Sequence, residues 1–133
     1  MYLNAAEAQR ILQAAQKKAA EMKVKVTISV VDGRGDLLTM LRLDGAPWRT
    51  VLISKGKAFA SASFGVPSAE LAARAATPPM QAFVMSVGGE CVPAQGALPV
   101  LRDGRVVGAV GVSGAASQED EEVARAGIAA LSA

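Results

Sequence analysis

Leu98-Pro99-Val100-Leu101, the turn pair Asp103-Gly104, and then Arg105-Val106-Val107-Gly108-Ala109-Val110-Gly111-Val112 form the stretch that decides the fold. Two apolar, largely β-branched runs flank an Asp-Gly pair. That pair accepts the positive φ angles of a tight hairpin turn, so two antiparallel strands are expected. Ser113-Gly114 follows, and Ser117 offers an N-cap for a final helix, with Asp120 three residues on closing a capping-box-like pair. Val123, Ala126/Gly127 and Ala130/Leu131 mark the inner face of that helix.

The same logic extends toward the N-terminus. Asn4 and Glu7 have capping-box spacing, and Ala8, Leu12, Ala15, Ala19 and Met22 form a helical stripe, giving a helix over about residues 5–22. The period then drops to two. Val24, Val26, Ile28 and Val30 alternate with polar residues, Asp32-Gly33-Arg34-Gly35-Asp36 supplies a turn, and Leu37 to Leu43 reads as the returning strand. After Pro47, Trp48, Val51/Leu52, Phe59 and Ala62 mark one side of a second helix, which Gly65-Val66-Pro67 ends. Ser68 is the expected cap of a short helix, Phe83 to Val87 reads as a strand, and Gly88 to Gly96 as irregular. The order predicts an α/β (α+β) chain with a central five-stranded, mainly antiparallel sheet and helices packed on its faces.

The chain has 133 residues, which fits one domain spanning 1–133. Hydrophobic residues make up 51% and charged residues 20%, a core-forming composition. There is no histidine, which excludes His-based triads, His-ligated zinc and a His axial ligand to haem. The net charge is +2 with scattered basic residues, so no nucleic-acid footprint is expected. No apolar run reaches transmembrane length, and Met1 to Arg10 lacks signal-peptide character, so no membrane partner is expected. A single cysteine, Cys91, suits a reducing, cytoplasmic setting. Abundant Ala and Val with few aromatics favour close subunit contacts, hence a homo-oligomer.

Four features bear on chemistry. Gly108, Gly111 and Gly114 are spaced GxxGxxG on a hairpin strand, which does not match a dinucleotide loop opening a βαβ unit. They serve packing, or, with Ser113 and the amides of the following helix, an oxygen-binding corner. Lys57 lies on the Ile53–Ala60–Phe64 stripe rather than on a polar face. It either buries its stem or pairs with an acid such as Asp44 or Glu70, or it holds a ligand carboxylate or acts as a base. Arg42 binds a ligand or pairs with Asp44. Cys91 is an apolar filler, a reactive thiol or a soft metal ligand. Together Lys57, Arg42, Gly111, Ser113 and Gly114 define the expected ligand site, between the second helix and the 111–117 loop.

Val30-Val31-Asp32-Gly33-Arg34-Gly35-Asp36-Leu37, Arg42-Leu43-Asp44-Gly45-Ala46, Lys57-Ala58-Phe59, Phe64-Gly65-Val66-Pro67 and Leu98-Pro99-Val100 through Asp103-Gly104 to Gly108-Ala109-Val110-Gly111-Val112-Ser113-Gly114 resemble the GlcG/HbpS family over about Leu3 to Leu131. This is the haem-binding or haem-degrading domain family, similar also to the C-terminal domain of PduO. The resemblance implies a profilin-like fold, dimers or larger oligomers, and binding or handling of haem. Because this chain lacks the imidazole, haem would be held through Cys91, a Met, Tyr2, a Lys or a hydroxyl such as Ser61. The alternative is an accessory enzyme or binding domain of a catabolic pathway acting on a small organic acid.

Overall fold

The structure is a computed structural model and describes residues 1–132. Its elements are α1 (Ala5–Met22), β1 (Thr27–Asp32), β2 (Leu37–Arg42), α2 (Arg49–Phe64), α3 (Ser68–Ala72), α4 (Pro78–Ser86), β3 (Ala97–Arg102), β4 (Arg105–Ser113) and α5 (Ser117–Ala129), closed by a 3-10 turn, Ala130–Ser132. The sheet has the order β2-β1-β4-β3, and every neighbouring pair is antiparallel. It is four-stranded among the described residues, not five-stranded. The expected fifth strand, Phe83 to Val87, is instead the C-terminal half of α4 and its cap. Met80 is buried, and Phe83, Val84 and Val87, at three- and four-residue spacing, are partly buried against the same cluster, so a helix turns all four to one side where a strand would turn half. Pro78 at the first helical turn is a start signal, since its missing N–H would have no partner there in any case.

Alternation along β1 separates two unlike layers. Val26, Ile28 and Val30, with Val110 and Val112 of β4, pack on Ala8, Ile11 and Ala15 of α1 and on Val123 and Ala124 of α5. Asn4 caps α1 as expected: its side chain accepts from the Glu7 N–H at 2.8 Å, and the Glu7 carboxylate accepts from the Asn4 N–H at 3.1 Å. The opposite face bears Thr27, Ser29, Val31, Ala109, Gly111 and Ser113, and α2 lies on it.

α2 sits with its backbone almost against β4. A Cβ at Gly111 would overlap the Ser54 carbonyl oxygen and stand 2.7 Å from the Ala58 nitrogen, so only glycine fits there. The buried face of α2 is therefore made of small residues: Thr50, Ser54, Gly56, Ala58, Ser61 and Ala62, with Lys57 among them. Hydroxyls join the layers, Thr27 Oγ1 to Thr50 Oγ1 and Ser29 Oγ to Ser54 Oγ, each at 2.7 Å. Trp48 and Leu52, which mark one side of the helix, are 68% and 64% exposed. Their bulk cannot enter a layer this thin.

At the start of α5 the cap differs from expectation. Ser117 is the first helical residue and Ala116 the cap. The Glu119 carboxylate accepts from the Ala116 N–H at 3.1 Å, and Asp120 turns inward.

Candidate functional site

Lys57 and Asp120 meet between the layers. The Lys57 ammonium, reaching from α2 past the end of β3, donates to the Val112 carbonyl at 3.0 Å and to Asp120 Oδ2 at 3.1 Å. Asp120 Oδ1 accepts from the Ala115 N–H at 2.9 Å. The geometry follows from the sheet. β4 extends beyond β3 at this end; the Val112 N–H donates to the Gly96 carbonyl, and the carbonyl of the same residue points to the same edge, where β3 has no further donor. Lys57 supplies that donor. Burial pushes the Asp120 carboxyl above its ordinary value, and the Lys57 charge and the Ala115 N–H only partly offset this.

The other expected site residues are placed as follows. Ser113 is buried beside Thr27, Gly111 is covered by α2, and Gly114 at φ +135° presses on the Lys25 carbonyl. Arg42 lies across β1 from Ser113 in the same row, exposed, with Nε donating to the Ala46 carbonyl at 2.8 Å. The structure thus brings Lys57, Gly111 and Ser113 together, but as one packed corner in which the Lys57 ammonium bonds to the chain itself. Cys91 is buried beside Ala60, Leu71 and Met80, and burial raises its thiol pKa, which suits packing rather than nucleophilic chemistry. Among the described residues no group of three or more Asp, Glu or Cys is placed to hold a metal ion, and no helix is long and apolar enough to cross a membrane.

Open space lies elsewhere. A cavity of 560 Å³ is lined by Phe64, Arg74, Thr77, Pro79, Met80 and Phe83. Phe64 is the last residue of α2, held there because Gly65 takes the left-handed conformation that ends the helix. α4 contributes Pro79, Met80 and Phe83. The Phe64 and Phe83 rings meet edge to face, 5.3 Å between centroids at 79°, and Phe59 stacks behind Phe83 at 6.5 Å. The Arg74 guanidinium lies 5.8 Å from the Phe64 ring centre. Thr77 Oγ1 donates to the Arg74 carbonyl at 2.7 Å, fixing the turn that carries the cation. The result is an apolar, aromatic-walled cavity of ligand-binding size with one cation at its rim. Sequence reading missed Arg74 and the role of Met80; reading Phe83 as a strand residue removed the helix that gathers them.

Comparison with known proteins places this architecture. The pattern of the family described as haem degrading protein HbpS-like matches residues 3–129. The chain belongs to the HbpS-like family. Streptomyces reticuli HbpS, solved as a double mutant, is 35% identical with a TM-score of 0.87, covering 98% of this chain and 88% of that one. Klebsiella pneumoniae protein ORFY is 32% identical with a TM-score of 0.88, covering 98% and 91%. A crystal structure described as a PduOC:heme complex shares the fold, with a TM-score of 0.86 at 24% identity, covering 98% and 95%. Among curated sequences, an uncharacterised 15.0 kDa protein of Citrobacter freundii from the dhaT-dhaS intergenic region is 35% identical over 121 residues, 90% of this chain and 84% of that protein. The corrinoid adenosyltransferase PduO of the same organism is 27% identical over 133 residues, and the chain spans 39% of its length.

Proposed function

We propose that this HbpS-like protein binds haem, with the Phe64–Phe83 cavity as its seat. The observation that carries the reading is the composition of that cavity: apolar and aromatic walls for a flat macrocycle, and one guanidinium, Arg74, where a propionate would lie. In a chain without histidine, the Met80 thioether in the cavity wall would be the protein group to hold the haem iron, a role methionine fills in other haem proteins. Bound haem would supply a redox-active iron; the protein's own residues would orient the ring, pair its carboxylate and exclude water. Family membership and the haem complex of a PduO domain with this fold support the same reading.

The small-acid alternative is less well served. A compact polar acid needs several donors, and this cavity offers one cation, while Lys57 already bonds within the chain. We also propose a profilin-like arrangement, a cytoplasmic location suited to one buried, unpaired cysteine, and self-association, which the exposed Trp48, Leu52 and Leu101 favour.

Titration with hemin followed by Soret absorbance tests the function. Saturable, stoichiometric binding is expected. Arg74→Ala should weaken it by about tenfold or more, and Met80→Leu should move the Soret maximum while binding persists. Featureless, non-saturating absorbance with the wild type would end the haem reading.

A further inference from the structure

The cavity between α2 and α4 offers contacts to the plane and the margin of a flat ligand, and little to its centre. Its aromatic wall is built in depth. Gly35, at φ +94°, brings the β1–β2 turn so close that a Cβ there would stand 2.8 Å from the Phe59 ring. Phe59 backs Phe83, and Phe83 meets Phe64 at 79°. The corner is therefore set before a ligand arrives, which lowers the ordering cost of seating a flat apolar ring. Pro79 extends the wall, and the Arg74 guanidinium supplies a partner for a carboxylate at the ring margin.

A central metal is served far less well. The chain has no histidine, and among the lining residues the one sulfur belongs to Met80. That side chain is 5% exposed and packs against Ala60, Leu71 and Cys91. The Thr77 hydroxyl is committed to the Arg74 carbonyl. Methionine ligation also raises the reduction potential of a haem iron, favouring its ferrous form, so ferric hemin gains least from Met80.

We infer that this site recognises the porphyrin ring and its carboxylates rather than the metal, and takes iron-free protoporphyrin as readily as hemin. The inference rests on the haem reading above and widens its ligand class to planar tetrapyrroles that carry carboxylates. A seat of this kind holds the ring equally before iron enters it and after iron leaves it.

Parallel titrations of the full chain test this, protoporphyrin IX followed by its own fluorescence and anisotropy, hemin by Soret absorbance. Circular dichroism confirms that each variant is folded. The two dissociation constants should agree within about threefold. Phe64→Leu and Arg74→Ala should weaken both ligands by the same factor, whereas Met80→Leu should alter the hemin spectrum and leave protoporphyrin affinity unchanged. Saturable hemin binding with protoporphyrin about tenfold or more weaker would overturn this inference alone and assign the affinity to the iron. Failure of hemin to bind would end the haem reading on which it rests. Should Met80→Leu not fold, Phe64 and Arg74, both exposed, decide, and unequal losses for the two ligands overturn the inference.

Discussion

The Lys57 ammonium and the Asp120 carboxylate sit 3.1 Å apart with side chains 6% and 3% exposed, tying the helix on one face of the sheet to the helix on the other. Removing either partner leaves a buried charge alone. Lys57→Met, which strands the buried carboxylate, should cost about 3–5 kcal/mol in urea unfolding, and Asp120→Asn less, because the buried carboxyl already favours its neutral form. The double variant should recover much of that loss, because Asn keeps an acceptor for the Ala115 N–H and no charge is left unpaired. A double variant as unstable as the sum of the singles would show that the pair does not act as a unit.

Two carboxyls should pull stability in opposite directions with pH. The Asn4 N–H bond, helped by Arg102, holds the Glu7 carboxyl below its ordinary 4.5, so its contribution is present above that value and lost as pH falls. Asp120 is held above its ordinary 3.8 by burial, so its contribution is full below 3.8 and is lost as pH rises through the raised value. Glu7→Gln should therefore flatten the acid limb of the stability profile, and Asp120→Asn the decline toward neutral pH. Denaturation midpoints measured from pH 3 to 8 would show either variant failing to do so.

The hydroxyl pairs under α2 should be unequal partners. Ser54 Oγ also donates to the Val51 carbonyl and Thr50 Oγ1 to the Pro47 carbonyl, while Ser29 and Thr27 are held by their pairs. Ser54→Ala orphans the buried Ser29 hydroxyl, at a cost of about 1–3 kcal/mol, whereas Ser29→Ala leaves Ser54 bonded and should cost less. Equal losses in paired melts would contradict this.

Cys91 should be silent until the protein opens. Its thiol is buried among apolar side chains and its pKa is raised, so labelling by a thiol-disulfide reagent at neutral pH should track urea unfolding rather than precede it. Rapid stoichiometric labelling of the folded protein would refute that.

What the sequence made legible was whatever local chemistry dictates. The Asp103-Gly104 hairpin, the Asn4–Glu7 box and the Gly65 stop all lie where their residues place them. Two features depend on distant partners and were misread. α4 carries β-branched and aromatic residues that suit a strand, and only the cluster around Leu71 and Cys91 shows that a helix buries them better. α2 looked amphipathic through Trp48 and Phe59, but its inner face is set by how closely Gly111 lets the backbone approach. Lys57 was recognised as anomalous on its stripe; its partner, 63 residues away within an acidic run, had no local signature.

The hydroxyl-lined layer beneath α2 has a thermal consequence. Exposing apolar surface raises the heat capacity of unfolding and exposing polar surface lowers it, and a chain of this length ordinarily shows about 1.6–2.0 kcal/mol/K. One of the two layers here hides alcohols and methyl-sized groups in place of large hydrocarbons. Calorimetry should accordingly return a value below that range. The free-energy curve is then flatter, so warming and chilling both erode stability more gradually than the valine-rich layer opposite would bring about by itself.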